Sequence, residues 1–475
     1  MTYHMYDVIY LGGGPGGYAG AVTSALLEKK VALVEKKRIG GTCVNFGCIP
    51  ADTALSGLSL AHYLEKGNYS PPVKLSFSLN LRRAKEISER TARLAQSVLE
   101  SLGVDIVIGE GTLSKGGVKV GDKKLEASSV VIATGARQNL APVKGADPSR
   151  VLTFERVWEL DSPPQRVVVY QGGFPSIRGL EIAQLLAASG SDVTVIDENS
   201  SLFPQFDEEL TETLKQALEQ SRIKFDMGAR VGSLSQDTIR YEVEGKERVV
   251  QFDAVLPSHA WIPNVEGLGL QELGIITKGG FVAVDEHCRT NVPSIYAVGE
   301  VSSFKGATRA MYMGRAAAYN AAGIDFAVNH QIIPYGLYTL TTFAEVGMTE
   351  KAALESGLEP VVGTSRLEYN EKAMAMGAAE GLVKLIFDRK GKLIGGGLVG
   401  YDAEELVSHI ALAIKLGASA KDLAYSGYEH ASISESVGDA ASKALLSLSR
   451  AESPPVKAGL AAMAPLKSDQ HHALP

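Results

Sequence analysis

The 475-residue sequence holds only three cysteines and two tryptophans. Three cysteines, two of them the close pair Cys43 and Cys48, cannot build the framework of a disulfide-stapled secreted domain. No second cysteine pair exists to complete a zinc tetrad, and no metal site is expected. No apolar run reaches the roughly 18 residues of a membrane span. The first residues lack a basic n-region, and Asp7 and a group of glycines break their apolar stretch, so a secretory signal peptide is not expected. Basic residues are outnumbered, 47 against 54 acidic, for a net charge of −7. That excludes the electrostatic footprint of a nucleic-acid binder and favours solubility. These absences predict a soluble, cytoplasmic protein with neither nucleic acid nor membrane as partner.

Glycine is abundant, with 50 residues. The glycines cluster at the ends of apolar runs and do not spread as low complexity. The pattern predicts a βαβ unit at the start: a strand Asp7–Leu11, the turn 12–17, a helix to about Lys29, and a strand Val31–Val34 closed by Glu35. A helix is expected over Ser78–Ser101, then strands over Val104–Glu110, Gly117–Val120 and Ser129–Ala133. Ser162-Pro163-Pro164 marks a boundary. A second βαβ unit follows, with strand Val167–Tyr170, helix Gly179–Ala188 and strand Asp192–Ile196 closed by Asp197. Another buried strand is expected at Ser294–Val298, with a small-residue helix over Thr308–Ala322. From Pro334 the texture changes to a hairpin around 389–391 and amphipathic helices at Glu404–Leu416 and Ser432–Leu446. The tail is expected to be loose.

Gly12-Gly13-Gly14-Pro15-Gly16-Gly17 is a G-x-G-x-x-G between a strand and a helix. Gly12 permits the tight turn, Gly14 the approach of a pyrophosphate, and Gly17 close packing of helix on strand. The helix N-terminus offers free N–H groups to phosphates. Glu35 can accept hydrogen bonds from a ribose. Dinucleotide binding is therefore expected. Cys43 and Cys48, a C-x4-C pair directly after this unit, suit a redox disulfide near a helix start; two buried free thiols or half of a metal site are the alternatives. Cys288 stands alone as an ordinary thiol. His430 and Glu435 form an H-x4-E near the C-terminus, and His409 reads as structural. Metal binding is not expected at His4, His471 or His472.

Taken together, GGGPGGYAG and VEKKRIGGTCVNFGCIP resemble the class I pyridine nucleotide–disulfide oxidoreductases, the family of dihydrolipoyl dehydrogenase, glutathione reductase and mercuric reductase. The resemblance runs over residues 5 to 448 and includes ATGA at 133–136, NVPSIYAVGE at 291–300 and EVGMTE at 345–350. It implies an α/β fold with two Rossmann-like nucleotide-binding domains, for FAD and NAD, and an α+β C-terminal dimerisation domain. The implied boundaries are 1–150 and 284–333 for the FAD domain, 151–283 for the NAD domain, 334–450 for dimerisation and 451–475 for a flexible tail. It implies FAD held at Gly12, Gly14, Gly17, Glu35, Gly41, Thr42, Ala133, Thr134, Gly135, Gly299 and Glu300. NAD(H) would lie at Gly172, Gly173, Glu181 and Asp197, with Asp197 favouring a ribose 2′-OH. Cys48 would face the flavin and Cys43 would attack substrate. His430, oriented by Glu435, would serve as acid–base at the disulfide of the other subunit, so the active unit would be a homodimer.

The sequence departs from the family around the nicotinamide side of the flavin. After the second cysteine the family usually has IPSK, whose Lys sits by the flavin and pairs with a Glu of the NAD domain. Here Ile49-Pro50 is followed by Ala51-Asp52, while that Glu is retained as Glu181, so Asp52 and Glu181 would repel unless one is protonated. The family's GGGYIGLE becomes a longer loop from Gln171 to Glu181, with Pro175 removing an amide donor. Arg178 in this loop could meet a phosphate or stand in solvent. The Arg of G-R-x-P-N is Trp261. HPT reads His430-Ala431-Ser432. The expected activity is an FAD-dependent disulfide oxidoreductase most like dihydrolipoyl dehydrogenase. Electrons would pass between NAD(H), flavin, Cys43–Cys48 and a small thiol, disulfide or lipoyl-protein substrate. A different class of function is an FAD-binding paralogue with lost or altered NAD use, fed by another partner or acting as a redox sensor or assembly subunit.

Overall fold

A computed structural model describes residues 5–173, 175–303 and 305–452. Phe174 of the second phosphate loop, the terminal histidines His4, His471 and His472, and the tail expected to be flexible lie outside the described residues, apart from the backbone helix that reaches Glu452.

The first sheet is built on β1 (Met5–Leu11), α1 (Pro15–Leu26), β2 (Val31–Glu35), α2 (Gly41–Phe46), α3 (Cys48–Lys66), α4 (Phe77–Ser101), β3 (Asp105–Ile108), β4 (Gly111–Ser114), β5 (Gly117–Val120) and β6 (Lys123–Ile132). Its order is β3-β2-β1-β6-β5-β4, and a late strand, Ile295–Ala297, adds to β6 in parallel. The pairings β1–β2, β1–β6 and β2–β3 are parallel, with Val8 opposite Val31 and Ile9 opposite Val130. β1 and β2 are apolar on both faces because helices cover both sides of a parallel sheet. The strand expected over 104–110 is the shorter β3, and a further strand, β4, follows it. Gly109, at φ +157, turns the chain between them.

The second sheet joins β7 (Arg166–Gln171), β8 (Asp192–Asp197), β9 (Ile223–Met227) and β10 (Ala254–Ser258) in the order β9-β8-β7-β10, all parallel. α5 (Arg178–Ala188) and α6 (Glu208–Gln220) are its helices. α5 is buried along almost its whole length, including Arg178, Glu181 and Gln184. A three-stranded antiparallel sheet over 230–251 packs outside.

The chain then returns to the first sheet through Ile295–Ala297 and α7 (Ala307–Ala321), which lies against α1. Glycine makes that packing possible: a Cβ at Gly314 would stand 2.1 Å from the Gly16 carbonyl. A five-stranded antiparallel sheet ends the fold: β11 (Tyr335–Leu337), β12 (Thr342–Gly347), β13 (Val361–Arg366), β14 (Leu382–Phe387) and β15 (Leu393–Gly400), ordered β11-β12-β15-β14-β13. α8 (Ala403–Leu416) and α9 (Glu435–Glu452) accompany this sheet.

One buried ion cluster ties the second sheet to the third. Lys384 on β14 pairs with Asp207 at 2.9 Å, Glu350 at 2.7 Å and Glu209 at 3.2 Å. Asp207 also caps α6 and donates its N–H to the buried Glu345 on β12.

Candidate functional site

The β1–α1 turn is closed by backbone contact. A Cβ on Gly12, which sits at φ +114, would be 2.3 Å from the Ala133 carbonyl, and one on Gly17 would be 1.9 Å from the Gly12 carbonyl. Gly41, at φ +54, backs onto Gly14: its Cβ would fall 2.6 Å from the Gly14 Cα. These positions need glycine because backbones meet there. The α1 N-terminus has no side-chain cap and no acidic residue in its first turn, so its N–H groups stay available to an anion. Glu35 braces the turn, accepting from the Gly13 N–H at 2.7 Å and the Lys37 N–H at 2.8 Å.

A cavity of about 400 Å³ runs along this turn, lined by Gly12, Gly14, Glu35, Gly41, Thr42, Ala133, Thr134, Gly135, Gly299 and Glu300. A second cavity, of about 240 Å³, holds both Cys43 and Cys48 with Glu181, Trp261 and Tyr338. The two share Cys43, Arg178, Glu300, Gly306 and Ala307. Glycine cradle, ribose-accepting carboxylate and uncapped helix at one end, and a thiol pair at the other, fit an elongated FAD with its adenosine at Glu35 and its ring system toward the cysteines.

Cys43 lies on α2 and Cys48 is the first residue of α3, with Gly47 between the helices. Asn45 holds the turn, donating to the Gly41 carbonyl at 2.8 Å and accepting from Arg38 Nε at 2.5 Å. Trp158 Nε1 donates to the Phe46 carbonyl at 2.9 Å. The two thiols are free and hydrogen-bond each other. Their environments part. The hydrogen bond to Cys48, then burial, pushes Cys43 far up; the same bond, with the Arg178 cation, draws Cys48 down to about 6. A negative charge on the pair is thus favoured on Cys48, where the positive end of the α3 dipole also supports it.

Arg178 does not stand in solvent. It is the first residue of α5, 9% exposed, with its Cζ 4.9 Å from the Trp261 ring centre. Trp261 is in turn stacked on Phe154 at 5.6 Å. One turn on, Glu181 is buried and accepts from the Tyr338 N–H at 3.3 Å. Burial pushes Glu181 up to about 8, and the negative charges of Cys48 and Asp52 add to the effect. The Asp52–Glu181 conflict is thus relieved by a proton on Glu181, while Asp52 is exposed.

The second phosphate loop is partly filled by its own side chains. Gln171, fully buried, donates from Nε2 to Asp197 Oδ2 at 2.6 Å. Asp197 Oδ1 accepts from the N–H and the side chain of Asn199 at 2.8 and 2.9 Å. The Asp197 carboxylate is therefore engaged internally, and a ribose hydroxyl would have to displace one of these donors. Glu198, held by Tyr170, lies over Gly172, where a Cβ would be 2.4 Å from Glu198 Oε2. Gly173 is exposed at φ +64.

His430 Nδ1 and Glu435 Oε1 are 3.1 Å apart, and Glu435 also accepts from the Ser432 N–H at 3.0 Å. The His430 side chain is 78% exposed, and neither residue lines the cysteine cavities of its own chain. The carboxylate beside it moves the imidazole's proton affinity up, and accepting these bonds moves Glu435 down. Cys288 is buried, its thiol pushed up to about 12 by burial. Sequence reasoning missed the buried place of Arg178 and the Gln171–Asp197 bond. The signal for the second was an amide-bearing residue where a glycine is usual.

Comparison with known proteins agrees with this geometry. The profile of the pyridine nucleotide-disulphide oxidoreductases matches residues 6–322, and that of their dimerisation domain matches residues 333–441. Dihydrolipoyl dehydrogenase of Chlorobaculum parvum is 33% identical over 460 residues, covering 93% of this chain and 97% of the relative. The Bacillus subtilis enzyme of that name is 30% identical over 461 residues, covering 92% and 96%. Among solved structures, LpdA of Mycobacterium tuberculosis superposes with a TM-score of 0.83 at 26% identity, covering 92% of this chain and 98% of that one. The Escherichia coli flavoprotein disulfide reductase RclA superposes with a TM-score of 0.80 at 24% identity, covering 92% and 99%, a likeness of fold.

Proposed function

The chain belongs to the pyridine nucleotide-disulphide oxidoreductases, as an FAD-dependent disulfide oxidoreductase similar to dihydrolipoyl dehydrogenase, and from that premise we propose that it moves electron pairs between NAD(H) and a thiol or disulfide substrate through Cys43 and Cys48. The observation that carries the proposal is the thiol pair at the start of α3, hydrogen-bonded and divided in proton affinity, opening on the cavity that continues to the glycine turn. We assign FAD to residues 1–150 and 284–333, the nicotinamide nucleotide to 151–283 and the dimer contact to 334–450.

FAD, when bound, supplies two-electron redox chemistry beside Cys48. The chain's own residues do the rest. Gly12, Gly14, Gly17, Gly41, Thr42 and the Ala133–Gly135 turn cradle the cofactor, with Glu35 toward its ribose and Gly299-Glu300 toward its ribityl chain. In disulfide reduction, His430 of the partner subunit takes the proton of Cys43, the Cys43 thiolate attacks one sulfur of the substrate disulfide, and the other sulfur departs with the proton that His430 returns. Cys48 then attacks Cys43 and releases the second thiol, leaving Cys43–Cys48 oxidised. His430 of the partner subunit gives each departing sulfur its proton, and Glu435 fixes the ring. The dihydrolipoyl direction reverses these steps. The names of the relatives suggest a lipoyl dithiol as substrate.

A second reading, lost or altered nucleotide use, is favoured by one observation: Gln171 and Asn199 already satisfy Asp197. Anaerobic mixing with NADH, NADPH and dihydrolipoamide separates the two. Loss of the flavin's visible absorbance with NADH supports the leading reading. Reduction by the dithiol alone transfers the proposal to the second. Reduction by none of them, with full reduction by dithionite, overturns the leading reading and leaves the second, with a different electron partner.

A further inference from the structure

Trp261 and Asp52 stand where the family places an Arg and a Lys, yet the cysteine cavity is not without a cation. Arg178 lines it from the first turn of α5. It is buried, and its guanidinium is fixed by two surfaces. Trp261 lies across one face at 4.9 Å. The backbone of Gly47, the residue before Cys48, lies against the other, where an added Cβ would be 2.9 Å from Cζ. Arg178 Nη1 is buried and makes no hydrogen bond among the described residues. A buried guanidinium with an unbonded nitrogen is costly unless an anion compensates it.

We propose that Arg178 is a positioning residue that serves as the counter-cation of Cys48, delivered by the second Rossmann unit in place of the cation that α3 lacks at Asp52. The proposal rests on the reading of Cys48 as the flavin-facing thiol. The charges facing Cys48 are few. Cys43 comes from the preceding helix, Glu181 from α5, and Glu300 from the turn before α7, while Tyr338 follows β11; Asp52, on α3, acts on Glu181. Burial disfavours charge on Glu181, and Arg178 is the cation that draws the proton affinity of Cys48 down. Lys305 lines the same cavity, and burial holds it down to about 8. Arginine suits the position because its flat group stacks on indole and keeps its charge when buried.

The test uses FAD-loaded protein carrying Cys43→Ser, so that Cys48 is the only redox thiol. The readout is the long-wavelength absorbance that a thiolate gives beside oxidised flavin, titrated with pH. Arg178→Met should raise the midpoint by at least about one pH unit, a tenfold fall in the thiolate-to-thiol ratio at fixed pH. Arg178→Lys should move it less. Trp261→Leu removes the indole that holds the guanidinium and leaves the backbone beside Cys48 untouched; it should shift the midpoint the same way, by less. Adding Asp52→Lys to Arg178→Met should return it toward the parent value. An unmoved midpoint in Arg178→Met overturns the proposal. If that variant loses FAD or its fold, an unmoved midpoint in Trp261→Leu does so. Absence of the band at every pH with Arg178 intact overturns the placement of Cys48 itself, and the proposal with it.

Discussion

Replacing Gln171 by glycine would restore the usual first residue of a nucleotide-binding turn and expose what this glutamine does. Its Nε2 donates to a carboxylate that is 0% exposed, over 2.6 Å. Such a charge-assisted bond contributes about 1.5–3 kcal/mol. Glycine at the end of β7 adds about 0.5–1 kcal/mol of chain entropy. Against this, Gln171 Oε1 is buried without a partner, and its removal returns on the order of 1 kcal/mol. Gln171→Gly should therefore lose about 1–3 kcal/mol, a fall in melting temperature of several degrees. The same change frees Asp197 Oδ2 for a ribose hydroxyl, and one hydrogen bond to a buried carboxylate is worth roughly tenfold in affinity.

The assay is paired: thermal unfolding of the FAD-loaded protein, and NADH titration followed by calorimetry. The expected result is a less stable protein that binds NADH about tenfold more tightly. A destabilised variant with unchanged NADH affinity would refute the link between the Gln171–Asp197 bond and nucleotide use. So would a parent protein that already binds NADH at full family strength. Asn199→Ala is the companion variant. It removes one donor from the other oxygen, leaves the Asn199 backbone N–H in place, and should give a smaller gain.

Three further outcomes are expected. His430→Ala should lower dithiol turnover by about 10²–10⁴-fold; because Glu435 raises the imidazole's proton affinity, Glu435→Gln should move the acid limb of the dihydrolipoamide kcat/KM profile to lower pH, and an unmoved limb would exclude His430 as the base. Lys384→Met should cost about 3–5 kcal/mol in a chemical unfolding curve, because it leaves the buried Asp207 carboxylate without its cation; a loss under about 1 kcal/mol would show that the cap contacts of Asp207 suffice. Glu345 is pushed up to about 8, chiefly by burial, so the folded chain keeps its proton where the unfolded chain loses it near ~4.3. Its contribution is fully present below that lower value and is lost as pH rises to about 8. Glu345→Gln should therefore flatten the decline of stability across this window, and a parallel decline in both proteins would contradict it.

The parts of this molecule legible in the sequence are those where one residue type is the sole solution to a local demand. Gly12 and Gly17 could be read because a backbone passes where their side chains would be. The adjacent buried strands β1 and β2 could be read because a parallel sheet covered on both faces needs continuous apolar runs. Legibility failed where the answer depends on what a distant segment does. The strand expected over 104–110 ends at Ile108, where Gly109 follows at φ +157, and the strand Gly111–Ser114 beyond it was not expected. Helix α3 runs from Cys48 to Lys66 through Pro50, because a proline in the first turn costs no hydrogen bond; only the helix start near the cysteines was expected. The charges of the site were harder still. Arg178 in a widened loop gives no sign of whether it meets solvent or a thiolate, because the deciding surfaces, Trp261 and Gly47, come from a strand end and a helix start far away in the chain. Asp197 closes its strand as a ribose-binding carboxylate should, and only the pairing of β7 with β8, which places Gln171 opposite it, shows that its oxygens are already taken. Departures from a family pattern therefore have to be judged in pairs. Asp52 alone reads as a lost cation and Gln171 alone as a lost glycine, but Asp52 has to be read with the buried Arg178, and Gln171 with the Asp197 carboxylate it hydrogen-bonds.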